Sequence, residues 1–586
     1  MRLVSAKPHL ESSPVEARAP TRLSSVLFRF KAGILRIRRA GANLARGVPR
    51  LSLGRPAAFP HLVAQSRTPL WSDTRLAERF MQAGKVENLR VAARLLDRTV
   101  LQAGNVFSFW KQLRRPGRMR GFVPGRMLQQ GCMVPATGGG LCQLSNALYD
   151  VALKARCEIV ERHAHSRTVP GSAASHGRDA TVAWNYVDLR FRNSRSLMLR
   201  VQLSADALDV SLFAASADDV HGGFDESVIE RQDALETCGT CNEVSCFRHE
   251  RETAVTHGRT AYLVSEAWPE FAAYVARERQ AHDTLCIPLD GARFGVTRYN
   301  WRTRGFGDIV TASAIVLQHG VAVRRTKAQG ALRRLAELET AERLARRFAR
   351  RLKPDVTEIC VAQSLLPFLS RDGHLGGRRF RVLMTSLPMS EIQSRLDALA
   401  IHHPERATLA DFRASAELVE LEADALAAAE TIITPHAEIA QLFGARACRL
   451  AWQQPSRQAP ETMPGAQRRI AFPGPTVARK GCYEVREAAR KLDLEVLPLG
   501  SELEGANFWT GVRLAQADKK DWLNGVRVIV QPAIVEQAPR RLLAAMAAGV
   551  PVIATAACGL DPQPGLTIVP AGDSKALAAA IAGHLD

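Results

Sequence analysis

No run of apolar residues in this 586-residue chain approaches the roughly 18 to 20 that a membrane-spanning helix requires. Near the amino terminus, Arg or Lys interrupts every short apolar run, and no small-residue cleavage site follows one. A cleaved export signal is therefore not expected, and the chain reads as cytoplasmic. Aromatic residues are scarce, at 6%, and no nucleic-acid motif is recognisable, which argues against a nucleic-acid partner. Eleven cysteines in so long a chain do not form a disulfide framework. Acidic residues are also in short supply, 58 against 79 Lys and Arg, a formal charge of +21. Much of the excess is local, because the first 55 residues hold twelve Lys or Arg and only two Glu. Within this arm Val26, Leu27, Phe28, Phe30, Ile34, Leu35 and Ile37 are interleaved with cations. The arm, residues 1–57, reads as flexible and solvated, with peripheral contact to an anionic inner membrane as the second reading.

What the chain does have is 46% apolar residues, enough for several cores, and a length suited to three or four domains. Its most informative motif is Gly138-Gly139-Gly140-Leu141-Cys142-Gln143, followed some twenty residues later by Glu161-Arg162-His163-Ala164-His165-Ser166. Three glycines permit tight backbone, and Leu144, Leu148, Val151 and Ala152 then recur at helical spacing, which puts Cys142 at a helix start. There the helix dipole and a neighbouring imidazole would favour the thiolate, as a cysteine nucleophile needs; a buried thiol beside a tight turn is the plainer reading.

These runs stand in an ordered series with Gly84-Lys85-Val86-Glu87-Asn88-Leu89, Gly104-Asn105-Val106-Phe107-Ser108-Phe109-Trp110, Gly121-Phe122-Val123-Pro124-Gly125-Arg126, Asp179-Ala180-Thr181-Val182 and Asn185-Tyr186-Val187-Asp188-Leu189-Arg190. Residues 58–215 thereby resemble the VanW family. The resemblance implies a mainly β domain tied to cell-envelope biology, without a settled activity. By a looser analogy with cysteine transpeptidases, Cys142 would attack an acyl donor, His163 or His165 would serve as base, and Asp179 or a main-chain carbonyl would orient the imidazole.

Residues 216–256 read as a linker carrying a metal knuckle. Cys238, Cys241, Cys246 and His249 form a C-x2-C-x4-C-x2-H arrangement suited to structural zinc, with an iron-sulfur cluster or unligated thiols as the alternatives.

From about residue 257 apolar strands alternate with longer helical stretches, the pattern of doubly wound parallel sheets. Strands are expected at 261–264, 358–362, 380–384, 431–434, 469–472, 526–531 and 552–554, and a basic helix at 331–352 whose arginines form a solvated face. The run Phe472-Pro473-Gly474-Pro475-Thr476-Val477-Ala478-Arg479-Lys480-Gly481 fits a strand, a loop and a helix, whose main-chain amides and Lys480 would hold a diphosphate. A second block runs from Glu536-Gln537-Ala538-Pro539 to Ala545-Met546-Ala547-Ala548-Gly549-Val550-Pro551. Both resemble the GT-B glycosyltransferases, whose two Rossmann-like lobes close on a nucleotide sugar. The resemblance implies lobes at 257–455 and 456–586, with Gly474, Lys480 and Glu536 at the donor. Ala544 stands where the family usually has a second glutamate, and Pro475 where it usually has an arginine. In the first lobe, Gly305-Phe306-Gly307-Asp308 is a weak candidate for an acceptor cleft.

The expected architecture is thus α/β and multidomain: a mainly β VanW-like domain, a small Cys/His knuckle and two Rossmann-like lobes. The leading function is transfer of a sugar from a nucleotide donor to an envelope acceptor. A cysteine acyltransferase centred on Cys142 and a non-catalytic envelope-assembly platform are the alternatives. The knuckle predicts about one zinc per chain by elemental analysis of the purified protein; a fully folded, metal-free preparation would remove it.

Overall fold

The computed structural model describes residues 21–46, 48–73, 78–129, 132–165, 177–219, 258–326, 329–455, 468–516 and 522–585. The chain divides into two compact units, Met1–Gly258 and Arg259–Asp586. Cys238, Cys241, Cys246 and His249 lie outside the described residues, and among the described residues no group of His, Cys, Asp and Glu is arranged to hold a metal. Nor is any described helix long and apolar enough to cross a membrane.

The first unit runs α1 (Arg22–Arg46), β1 (His61–Pro69), α2 (Arg79–Leu96), β2 (Thr99–Leu101), β3 (Val106–Ser108), α3 (Phe109–Leu113), β4 (Pro124–Gln129), β5 (Cys132–Thr137), α4 (Leu141–Lys154), β6 (Glu158–Glu161), β7 (Arg190–Arg192), β8 (Leu197–Leu203) and β9 (Ala207–Ala214). An antiparallel sheet in the order β1-β9-β8-β2 backs it, with a three-stranded sheet β3-β7-β6 and the hairpin β4-β5 beside it. The sequence suggests a mainly β domain, yet α2 and α4 occupy its centre. Val86, Leu89 and Leu96 of α2 and Leu144, Leu148 and Val151 of α4 pack with Leu199, Val210 and Leu212 of the sheet. Periodicity marked α4, but α2 is buried on nearly all sides and so lacks a polar stripe to reveal it. The arm departs further from expectation, because Arg22–Arg46 is a 25-residue helix and not a flexible tail.

Two parallel sheets build the second unit. The first contains β10 (Arg259–Leu263), β11 (Thr284–Ile287), β12 (Asp308–Thr311), β13 (Val356–Ala362), β14 (Arg379–Leu383), β15 (Thr431–Thr434) and β16 (Ala447–Arg449) in the order β12-β11-β10-β13-β14-β15-β16. The other contains β17 (Arg469–Phe472), β18 (Glu495–Pro498), β19 (Arg513–Leu514), β20 (Val528–Gln531), β21 (Val552–Ala554) and β22 (Leu566–Ile568) in the order β19-β18-β17-β20-β21-β22. Both are doubly wound, and each has its switch point where connections diverge in opposite directions, between β10 and β13 and between β17 and β20. Central strands such as Val528–Gln531 are buried throughout, so they read as continuous apolar runs and were legible, whereas short edge strands such as Arg513–Leu514 are exposed and were not.

Leu148→Ala truncates a side chain with no exposed surface in the first unit. It is expected to cost about 2 to 5 kcal/mol, read as faster amide exchange across α2 and α4 and a lower urea midpoint.

Candidate active sites

In the first unit the glycine run is shaped by lack of room. A Cβ on Gly139 would lie 2.2 Å from the Gly125 carbonyl oxygen, and Gly140, at φ +95°, lies against the Lys85 side chain. Buried Asn88 of α2 fixes the loop, donating to the carbonyls of Gly139 at 2.8 Å and Val123 at 3.0 Å and accepting from Val123 N–H at 2.9 Å. The chain turns directly into α4, with Gly140 as its N-cap, so Cys142 occupies the first turn.

From there α4 grips the segment that completes the site. Ser145 donates to the Ala180 carbonyl at 2.5 Å and Asn146 accepts from Ala180 N–H at 2.8 Å. Asp179 is buried; its carboxylate accepts from the His165 main-chain N–H at 2.6 Å and from the His165 ring Nδ1. His165 in turn interacts electrostatically with the Cys142 thiol. The sulfur also lies 3.8 Å from the Thr181 hydroxyl and 3.9 Å from the Val182 carbonyl oxygen. Of the two histidines, only His165 joins this line. His163 is turned outward and pairs with Glu161 at 3.3 Å.

The electrostatics follow the geometry. Burial opposes ionisation of Cys142, but the hydrogen bond and charge of His165, with lesser help from Val182 and Thr181, bring the thiol below its usual range. Burial likewise disfavours the imidazolium, yet Cys142 and then Asp179 raise His165 to about 9. Both shifts run toward a thiolate–imidazolium pair, the form in which a cysteine is nucleophilic. By contrast Cys157 has no such partner and burial pushes its thiol up to about 12.

In the second unit the candidate donor residues converge at a switch point, at the carboxyl ends of β17 and β20. Lys480 and Glu536 are both buried and pair at 2.8 Å, and Lys480 also donates to the Val535 carbonyl at 3.0 Å. Glu536 accepts from the main-chain N–H groups of Gln537 and Ala538, both at 2.8 Å, and from the Gln531 side chain. Burial alone would raise its carboxyl; Lys480 and the two amides outweigh burial and hold it ionised. Gly474 lies close to Lys480, where an added Cβ would meet the Lys480 side chain at 3.4 Å.

Several main-chain amides of the loop expected to hold a diphosphate are already engaged. Those of Thr476, Val477, Ala478, Lys480 and Gly481 already donate to acceptors within the protein, Ala478 to the Thr408 hydroxyl at 2.9 Å. Side-chain cations stand close by. Arg479 stacks over Phe412 at 4.7 Å from the ring centroid, and Arg334 over the same ring at 4.4 Å, with its Nε buried and without a hydrogen-bond partner among the described residues. Sequence reasoning missed both; the Arg479-Lys480 adjacency was the available signal. Arg541 donates to the Pro473 carbonyl from the helix that carries Ala544.

A cavity of about 340 Å³ opens at the first lobe's switch point, lined by Ser265 and Glu266 after β10, Gln363 and Ser364 after β13, and Gln537 and Ala538 from the donor block. Gly305-Phe306-Gly307-Asp308 is not part of it. That turn precedes β12 at the opposite end of the sheet, and Asp308 pairs there with Arg259 at 2.9 Å and Lys353 at 2.6 Å. The lobes are joined beside the cavity by Arg540, which forms two bonds to the buried Glu270 carboxylate, at 2.8 and 2.5 Å, and stacks over Trp268 and Trp452. Buried His436 caps the helix Ala437–Phe443, and its Nε2 lies 3.3 Å from the Glu536 carbonyl, linking the first lobe to the donor segment.

Comparison with known proteins places a domain in each unit. Residues 84–213 match the family described as VanW like protein, and residues 463–586 match Glycosyl transferases group 1. The chain is 29% identical over 151 residues to the vancomycin B-type resistance protein VanW of Enterococcus faecalis, covering 25% of this chain and 55% of that protein. It is 29% identical over 130 residues to the uncharacterized protein YoaR of Bacillus subtilis, covering 22% and 42%. The chain thus spans about half the length of the curated relatives it matches. Solved structures that resemble it include a sucrose-phosphate synthase from Thermosynechococcus elongatus (15% identity, 56% of this chain and 90% of that one, TM-score 0.35). Another is Anabaena HepE in complex with UDP and glucose (13% identity, 56% and 90%, TM-score 0.33).

Iodoacetamide should alkylate Cys142 at a pH below the ordinary thiol range, since the thiolate forms below that range. His165→Ala removes the main stabilising partner and leaves burial, so the alkylation profile should move to higher pH, and Asp179→Asn should move it part of the way. An unchanged profile in His165→Ala would refute the ion pair.

Proposed function

We propose that the second unit transfers a sugar from a nucleotide-sugar donor to a cell-envelope acceptor on the cytoplasmic side of the inner membrane. The observation that carries this reading is the buried Lys480–Glu536 pair at the β17/β20 switch point, inside the Glycosyl transferases group 1 domain. In the reaction, the bond from the anomeric carbon to the donor diphosphate breaks and a glycosidic bond to an acceptor hydroxyl forms, the hydroxyl losing its proton. The leaving nucleoside diphosphate gains negative charge, which cations must meet. Pro475 cannot supply one. Lys480 and Arg479 stand on the donor side, and Arg334 faces them across Phe412 from the acceptor lobe. Ala544 removes a ribose acceptor, so the nucleoside is gripped less firmly than its phosphates.

The purified full chain is expected to release nucleoside diphosphate from at least one member of a panel of nucleotide sugars. Lys480→Ala should abolish release, and Arg479→Gln should lower it about tenfold or more, as loss of a charged hydrogen bond does, with the thermal midpoint reported for each variant. No release from any donor would reject the transferase and leave the second unit as a binding platform.

A second reading rests on the Cys142–His165–Asp179 line in the first unit. There the Cys142 thiolate attacks a carbonyl carbon, His165 passes its proton to the leaving amine, and the acyl group remains on sulfur until a second nucleophile takes it. Incubation with envelope peptides should then give an adduct on the intact protein that Cys142→Ser lacks. Absence of any adduct, together with an envelope phenotype unchanged by Cys142→Ala, would reject this chemistry.

A further inference from the structure

Helix α1 has two unlike faces, and among the described residues only one of them has a partner. On the covered face Ser25 and Ala32 are buried, Arg36 donates to the Trp184 carbonyl at 2.6 Å, Arg39 pairs with Glu161, and Asn43 accepts from Arg190 at 2.5 Å. The opposite face carries Leu23, Val26, Leu27, Phe30, Ile34, Ile37 and Leu44. At 3.6 residues per turn these seven fall within an arc of about 100°. All are open to solvent, Phe30 at 67%, Ile37 at 76% and Leu44 at 87%. Lys31 and Arg38 border this stripe on one side and Arg22 and Arg29 on the other. The helix holds seven Lys or Arg and no acidic residue.

An apolar stripe of this length exposed on a monomer is costly unless something covers it. The charge says what. A protein partner could meet the stripe, but a helix with cations along both borders and no acid is matched by a surface that is apolar within and negative at its rim, which is the interface of an anionic bilayer. We infer that α1 lies on an anionic lipid surface, with Phe30, Ile34 and Ile37 among the acyl chains, and with Lys31, Arg38, Arg22 and Arg29 at the phosphates. The covered face keeps the first unit attached while the stripe is inserted, so binding needs no rearrangement of the fold. This inference is independent of either chemistry above.

The test is co-sedimentation of the full chain with vesicles of phosphatidylcholine alone or with phosphatidylglycerol added. The protein should pellet with the anionic vesicles, less with the neutral ones, and less as salt rises. Phe30→Ser with Ile34→Ser, and separately Lys31→Glu with Arg38→Glu, should each weaken binding about tenfold or more. Neither pair touches the covered face, so the thermal midpoint should hold, and nucleoside diphosphate release in solution should not change. Vesicle binding that persists in the Phe30 and Ile34 double variant, or no binding to either vesicle, would overturn the inference. A concentration-dependent dimer that this variant abolishes would also overturn it, because a second copy would then be the cover.

Discussion

There is no room for a side chain at Gly139, and the Cys142–His165–Asp179 line of the first unit depends on that. With the Gly125 carbonyl filling the space, the backbone can pass only as glycine, and Asn88 then holds it from α2. This contact sets where α4 begins, hence where Cys142 sits. From the same helix Ser145 and Asn146 reach across to Ala180 and so place Asp179 and, through it, His165. One helix therefore positions both Cys142 and the segment that supports His165. Mobility in the glycine run would disperse all three groups at once.

The second unit solves a related problem with charge instead of close packing. Burying Lys480 or Glu536 alone would be prohibitive; together, both oxygens of the carboxylate accept hydrogen bonds, from a lysine, two main-chain amides and an amide side chain, while burial lowers the Lys480 ammonium below the ordinary lysine range against the pull of Glu536. A carboxylate held this way is not free to move toward a proton. It serves as a fixed electrostatic element, which favours the charged form of the lysine and keeps it aimed at the ends of the strands.

Legibility in the sequence tracked how local each cause was. Cys142 at a helix start could be read because glycine and helical periodicity are adjacent in the chain. The central strands were readable because burial on both faces leaves continuous apolar runs. The choice between His163 and His165 was not, since it depends on which ring faces Asp179 across a fold that brings 165 and 179 together. The same holds for Phe412, which is brought near Arg334 and Arg479 only by tertiary packing. Gly305 to Asp308 misled because a glycine turn looks alike at either end of a strand, while only the carboxyl end faces a ligand. Helix α1 was read as a flexible arm because its stabilising contacts, to Trp184, Glu161 and Arg190, lie more than a hundred residues away.

Arg540 follows Glu536 by four residues, and it is locked to Glu270 of the other lobe between two tryptophans. The Glu536 carboxylate and the contact that joins the lobes therefore lie on one short stretch of backbone. The two ends of this segment are coupled through its backbone: loosening Arg540 from Glu270 would loosen the stretch whose amides at 537 and 538 hold the Glu536 carboxylate, and with it the partner of Lys480.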